Sequence, residues 1–324
     1  MASRAVALVP TVSSSRVPRA VRRFSPSLAW QLVSSVSGAL GRVVPMSAAW
    51  LPMAGCVLSA RPLDSVLAPA PAAPAVAFAD DPTLPLPERA ARLQAEVDRR
   101  LADAVQAHKA TPTDVDLALA VAERAFEAAD VRMQRAALST TEQATTMDEV
   151  LAADDHVPDD VRAEILSLAT TGRALAEQAA AASPERVAAH LQVALHLSLL
   201  AWANGPTRSL FAGYGPKLVA AIDKALALDP TFDGGAPLRL QGRFRGQAPW
   251  PYGDPALART SLTRAVELAP VPVSRVFLGD VLWAAHDPDA ARAQWQQATT
   301  AAPDASTRWS APILQELARR RLAK

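Results

Sequence analysis

Apolar residues recur along this chain with the spacing of helices rather than of strands. Leu86, Ala90, Leu93, Val97, Leu101 and Val105 advance by three or four residues at a time, the step that lines one helix face. An amphipathic helix is predicted from Leu86 to about His108. Thr111-Pro112-Thr113-Asp114 then reads as a capping start, with Thr111 as the cap, and a second helix is expected through Leu138. The threonine-rich residues 139–146 read as a loop. Asp154-Asp155-His156-Val157-Pro158 interrupts the pattern, and helix resumes from about Asp159 to Ala181. Ser183-Pro184 opens a predicted helix over Glu185–Ala203. Its Val187, Leu191, Ala194, Leu195, Leu197 and Leu199 make it the most apolar segment after Asp80, and so the expected buried centre. A last helix is expected from about Ala311 to Leu322. Its Arg319-Arg320-Arg321 suits the negative end of the helix dipole, and its polar face would cap the array.

Between Gly172 and Pro303 the pattern repeats. Four helical segments place an alanine five residues before a proline: Ala179 and Pro184, Ala225 and Pro230, Ala265 and Pro270, Ala298 and Pro303. The last two copies stay in register over a long span. Asp254-Pro255 and Ala258-Arg259 recur 33 residues later as Asp287-Pro288 and Ala291-Arg292. That period is close to the ~34 residues of a tetratricopeptide unit. Gly279 falls where the first helix of a pair must be thin; Ala291, Trp295 and Ala298 fall on the packing face of the second. The expected fold is therefore all-α, a tetratricopeptide-like solenoid of helical hairpins. A lone pair cannot bury its apolar face, so such units stack.

Earlier copies are longer. The spacing between successive alanine–proline endings is 46, then 40, then 33 residues, which implies insertions within the earlier pairs. The first insertion spans Asn204–Pro216 and the second Arg243–Asp254. Trp202, Arg208, Phe211 and Tyr214 lie in or beside one; Arg239, Arg243, Trp250 and Tyr252 lie in or beside the other. Apolar platforms beside cations suit an organic anion or the anchor residues of a protein interface. The alternative is that Phe211 and Trp250 plug gaps between successive helix pairs.

Composition divides the chain near residue 80. Seven arginines and no acid precede Asp64, and the run Ala68–Ala79 is rich in alanine and proline. Removing those seven and Asp64 from totals of 33 basic and 32 acidic residues leaves 26 against 31 from Asp80 on, a net charge of −5. A mildly acidic body argues against general nucleic-acid binding. Residues 1–79 read as an export leader and linker, residues 80–170 as helical hairpins, and residues 171–324 as the repeats with their insertions and cap. Met53-Ala54-Gly55-Cys56 matches a lipoprotein cleavage box with Cys56 lipidated. Cleavage after Ala77-Phe78-Ala79 would instead release a soluble protein, and a leader with no export function is the third reading. One cysteine excludes an intramolecular disulfide. Arg42, Pro45 and Pro52 break the leader's apolar stretches before they reach the ~20 residues of a membrane span.

No motif for catalysis, cofactor or metal stands out. Asp233-Gly234-Gly235 follows a helix end and has no lysine partner, so it reads as a helix-breaking turn rather than a phosphate loop. The acids at 154–155 and 159–160 read as solvated charges at a helix start. His190 and His196 are six apart and face different ways; a structural role is expected, against a hydrolase reading that lacks a nucleophile motif.

The insertions and their surroundings resemble a known family. Ala201–Gly205, Ser209–Gly213, Lys224–Pro230, Phe232–Pro237, Leu240–Arg243 and Pro249-Trp250-Pro251-Tyr252-Gly253-Asp254 are similar to the T component associated with tripartite ATP-independent periplasmic (TRAP) transporters. The resemblance runs from about Gly172 to Leu322. It implies a periplasmic, often lipid-anchored helical-repeat protein that assembles as a trimer and docks the transporter's solute-binding subunit, with a ligand cleft and no catalysis. A generic tetratricopeptide adaptor for a peptide or protein is the other reading of the repeats.

Overall fold

The computed structural model describes residues 80–324, and within them all regular structure is helical. The chain opens with α1 (Leu86–Ala110), α2 (Val115–Thr141), the short α3 (Met147–Leu151) and α4 (Asp159–Ala182). Next come α5 (Val187–Phe211), α6 (Tyr214–Leu228), α7 (Phe232–Gln247) and α8 (Pro255–Leu268), then α9 (Pro272–Ala284), α10 (Pro288–Ala298) and α11 (Ala311–Leu322). Among these residues no helix is long and apolar enough to cross a membrane.

The fold is the expected tetratricopeptide-like hairpin array, and the alanine–proline endings define its register. In this register α2 pairs with α4, α5 with α6, α7 with α8, and α9 with α10, while α4 also packs closely on α5 and so joins the first pair to the second. The second helix of each pair carries one of the four repeat alanines. Ala179, Ala225, Ala265 and Ala298 are all completely buried. A methyl group is all that fits where two helix axes approach this closely. In α4, α6 and α8 the same alanine's carbonyl accepts the last helical bond, from the amides of Ser183, Asp229 and Ala269. The proline that follows cannot continue the helix.

Small-against-large contacts lock the pairs. A methyl added to Gly279 of α9 would lie 2.3 Å from the indole nitrogen of Trp295 on α10; one added to Gly242 of α7 would lie 2.4 Å from Leu262 on α8. Between pairs, Gly172 of α4 leaves room for His196 of α5 in the same way. Trp295, Leu262 and His196 are each fully buried. One device is thus used three times with three different large residues.

Several boundaries differ from the sequence expectation. The N-cap of α2 is Asp114, not Thr111: its carboxylate accepts from the amides of Asp116 and Leu117 at 2.8 and 3.1 Å, while Thr111 closes α1. A two-way capping box does exist, at Thr146 and Glu149, where it starts α3 directly after the residues expected to be a loop. Asp254 and Asp287, the recurring aspartates of the repeat, cap α8 and α10, each with a proline at the first helical position. The first insertion is mostly helical. Gly205, at φ 72°, kinks α5 and the chain then resumes helix to Phe211. Ser209 stitches the kink by donating to the carbonyls of Ala201 and Gly205 at 2.8 and 2.6 Å.

The last helix keeps a polar outer face at Glu316, Arg319 and Arg320 but does more than cover the final pair: Ile313, Leu314, Leu317 and Ala318 are buried, and α11 packs on α10, α9, α2 and α1. Arg320 donates to the carbonyl of Leu138 at 2.7 Å and to the Thr141 hydroxyl at 2.6 Å, and Lys324 reaches the carbonyl of Ala144 at 2.8 Å. The end of the array is fastened to its beginning. One apolar core accordingly runs from Ala90 on α1 to Ala318 on α11.

Candidate functional site

The insertions meet. Tyr252, from the second, lies over Gly215 of the first so closely that an added methyl would sit 2.6 Å from its ring. Its other face is tilted against Phe244, with ring centres 6.1 Å apart. Arg245 donates to the Tyr252 carbonyl at 2.9 Å, and the amide of Asp254 donates to the Arg245 carbonyl at 2.9 Å, closing the turn onto the end of α7. The Trp250–Pro251 peptide within this turn is cis. Tyr214 is half-buried at the root of the first insertion and packs on both large core clusters. These contacts make one edge of the two insertions.

Two aromatic residues stand out from that edge. Phe211 is 86% exposed and Trp250 is 88% exposed, with Leu210 beside Phe211 at 60%. They plug no gap between helix pairs. Arg208 is exposed on the same turn as Phe211. Large apolar side chains held out from a packed frame leave apolar area in water that contact with another surface would remove.

The other candidate residues face inward. Trp202 is half-buried under the guanidinium of Arg162, 4.7 Å from the ring centre. Arg239 is buried, donates to the Gly234 carbonyl at 2.9 Å and lies 3.8 Å from Asp233; burial pulls its pKa down. It holds the turn at Asp233, Gly234 and Gly235, three successive residues at positive φ. This is the helix-breaking turn the sequence implied. Arg243 donates to Asp280 at 3.1 Å and stacks over Phe277 at 4.5 Å. The sequence grouped Arg239 and Arg243 with the aromatics; the structure ties both to the frame.

Asp280 is the residue that pattern reading missed. It accepts from Arg243 and from the Trp295 indole N–H at 3.2 Å, and Arg321 of α11 lies 2.9 Å from it. One carboxylate thus joins three helices and α11. The signal was available: Asp280 is the one acid within α9, whose remaining residues are mostly apolar. An acid in that position needs partners.

His196 takes the structural role. It is fully buried, donates from Nε2 to the Ala122 carbonyl at 2.9 Å and meets Phe126 edge-on. Burial lowers its pKa to about 4, with the carbonyl opposing. His190 donates to the Pro184 carbonyl at 2.8 Å. Asp159 and Asp160 occupy the first turn of α4, where the helix dipole favours them.

The fold and edge together define a helical-hairpin repeat protein with apolar residues set out on its insertions. No protein-family model and no curated protein matches the chain. Among solved structures it is similar to a thermophilic tetratricopeptide protein of Thermus thermophilus, at 18% identity over 67% of this chain and 99% of that one, with a TM-score of 0.39.

Proposed function

We propose that this chain is an accessory protein of the cell envelope that docks a protein partner on the edge formed by its two insertions. The observation that carries this is the exposure of Phe211, Trp250 and Leu210 on segments otherwise fixed by hydrogen bonds and ring contacts. A rigid apolar edge loses little conformational entropy on binding, and aromatic anchors of this kind dominate interface energetics. The proposed partner is the solute-binding subunit of a TRAP-type uptake system, a choice supported by the resemblance of the insertion segments. Attachment to the membrane is proposed through lipid on Cys56, which lies outside the described residues. The role is scaffolding rather than chemistry.

The test is capture of that solute-binding subunit by the purified protein. Trp250→Ala and Phe211→Ala should each weaken capture by about tenfold or more, with the urea unfolding midpoint unchanged. Capture that survives the double substitution would remove the edge from the interface.

A further inference from the structure

A second feature lies away from the insertions, where α11 meets α1. A cleft of about 300 Å³ opens between the first turns of α1 and the segment leading into α11. Leu93, Trp309 and Pro312 form its apolar floor, and each is buried. Arg89 and Arg308 stand at its rim with Asp80. The volume is at the lower end of the range for small-molecule sites, and an apolar floor with a few placed polar groups is their usual composition.

Arginines and acids are interleaved around this cleft. Arg308 and Arg100 both lie over the Trp309 ring, at 4.2 and 4.8 Å. Arg124 is close by, and both it and Arg308 work against the charge on Arg100, after burial. The nearby acids face other arginines, Asp81 acting on Arg89 and Glu123 lying in the field of Arg124. Asp80 holds Arg89 through two hydrogen bonds, one of 2.6 Å. Glu127 is hydrogen-bonded to Arg124 with Arg100 at 3.8 Å, and Glu96 grips Arg99 at two points. Arg308 feels Glu127 as an opposing charge and is held by its stacking on Trp309. Arg308 is thus an exposed cation beside an apolar hollow.

We propose that the cleft binds an amphipathic organic anion, its carboxylate on Arg308 and Arg89 and its apolar part against Leu93, Trp309 and Pro312. The stacking of Arg308 on Trp309 holds the cation at the rim in advance of the ligand. Asp80 is the internal competitor for Arg89. The site is separate from the insertion edge and does not depend on the partner proposed there.

Calorimetric titration of the full chain with octanoate, octanol and sulfate tests this. Octanoate should bind, with octanol and sulfate each weaker by about tenfold or more. Arg308→Gln should weaken octanoate by about tenfold, Arg308→Lys much less, and Asp80→Asn should strengthen it several-fold by releasing Arg89. Arg308 and Asp80 are exposed, so both substitutions leave the core intact. Trp250→Ala should leave octanoate affinity unchanged. An affinity indifferent to Arg308→Gln would overturn the proposal. So would octanol binding as well as octanoate, which marks a bare apolar hollow, or sulfate doing so, which marks an adventitious ion only.

Discussion

At the scale of single residues the structure depends on a few positions where nothing larger or more polar fits. Gly279 is the clearest. Its replacement by alanine sets a methyl against a fully buried Trp295, which must move and give up its bond to Asp280. Overpacking of this kind costs roughly 1–3 kcal/mol, so Gly279→Ala should lower the urea midpoint at unchanged slope. This pair was legible because the repeat register put a small residue opposite a large one. His196 was legible only as structural. Its partner, the Ala122 carbonyl, lies 74 positions away, and no local pattern announces such a bond. Its titration has a definite sign. The unfolded imidazole takes a proton near pH 6.5, whereas the buried one resists to about 4, so the unfolded chain binds more protons between those values. Stability present above pH 6.5 is lost as pH falls through that window, by roughly 2–3 kcal/mol at pH 4.5. Glu123 and Glu127, whose pKa values burial raises, act in the opposite direction. The comparison with His196→Gln isolates the histidine: urea unfolding at pH 7 and 4.5 should show a smaller fall for the variant.

At the scale of elements, helices with strong periodicity and alanine–proline endings were readable, and the insertions were not. The helix before the Asn204–Pro216 insertion was expected to end at Ala203, yet helix persists because only Gly205 and Gly213 break it, both at positive φ. Glycine and proline there mark kinks between helical pieces. Side-chain bridges between elements were equally invisible. Arg132 of α2 is buried and pairs with Asp98 of α1 at 2.7 Å and Glu164 of α4 at 2.9 Å. Three helices meet on one guanidinium. Its carboxylate partners keep some contact with water, so removal leaves charges that are only partly stranded. Arg132→Met should therefore destabilise by about 2 kcal/mol, less than the loss expected for a fully enclosed pair. Denaturant unfolding of the variant checks this; a change below about 0.5 kcal/mol would mean that the cluster contributes no more than a surface ion pair.

At the scale of the molecule, the repeat pattern predicts an open stack, and the observed array is closed by α11. Sequence could not show this, because an amphipathic final helix looks alike whether its apolar face meets only its neighbour or the first helices as well. The decisive contacts are those of Arg320 with Leu138 and Thr141, and of Ile313 and Leu314 with the common core. An open solenoid frays from its ends, since each repeat touches only its neighbours. Here Leu314→Ala should lower amide-exchange protection in α1 and α2 as well as in α10 and α11, by about 2–4 kcal/mol if the ends open together. Loss confined to α10 and α11 would show that the closure is energetically loose.

That closure also sets an order of events during synthesis. The carbonyl of Leu138 is satisfied by a side chain 182 positions later, and the part of the first helices' apolar face that α4 leaves open is covered by α11. At about 5–20 residues per second, the first hairpin waits on the order of ten to forty seconds with that face uncovered. The first hairpin is therefore the part of the array most in need of a chaperone, even though it emerges before the helices that pack on it.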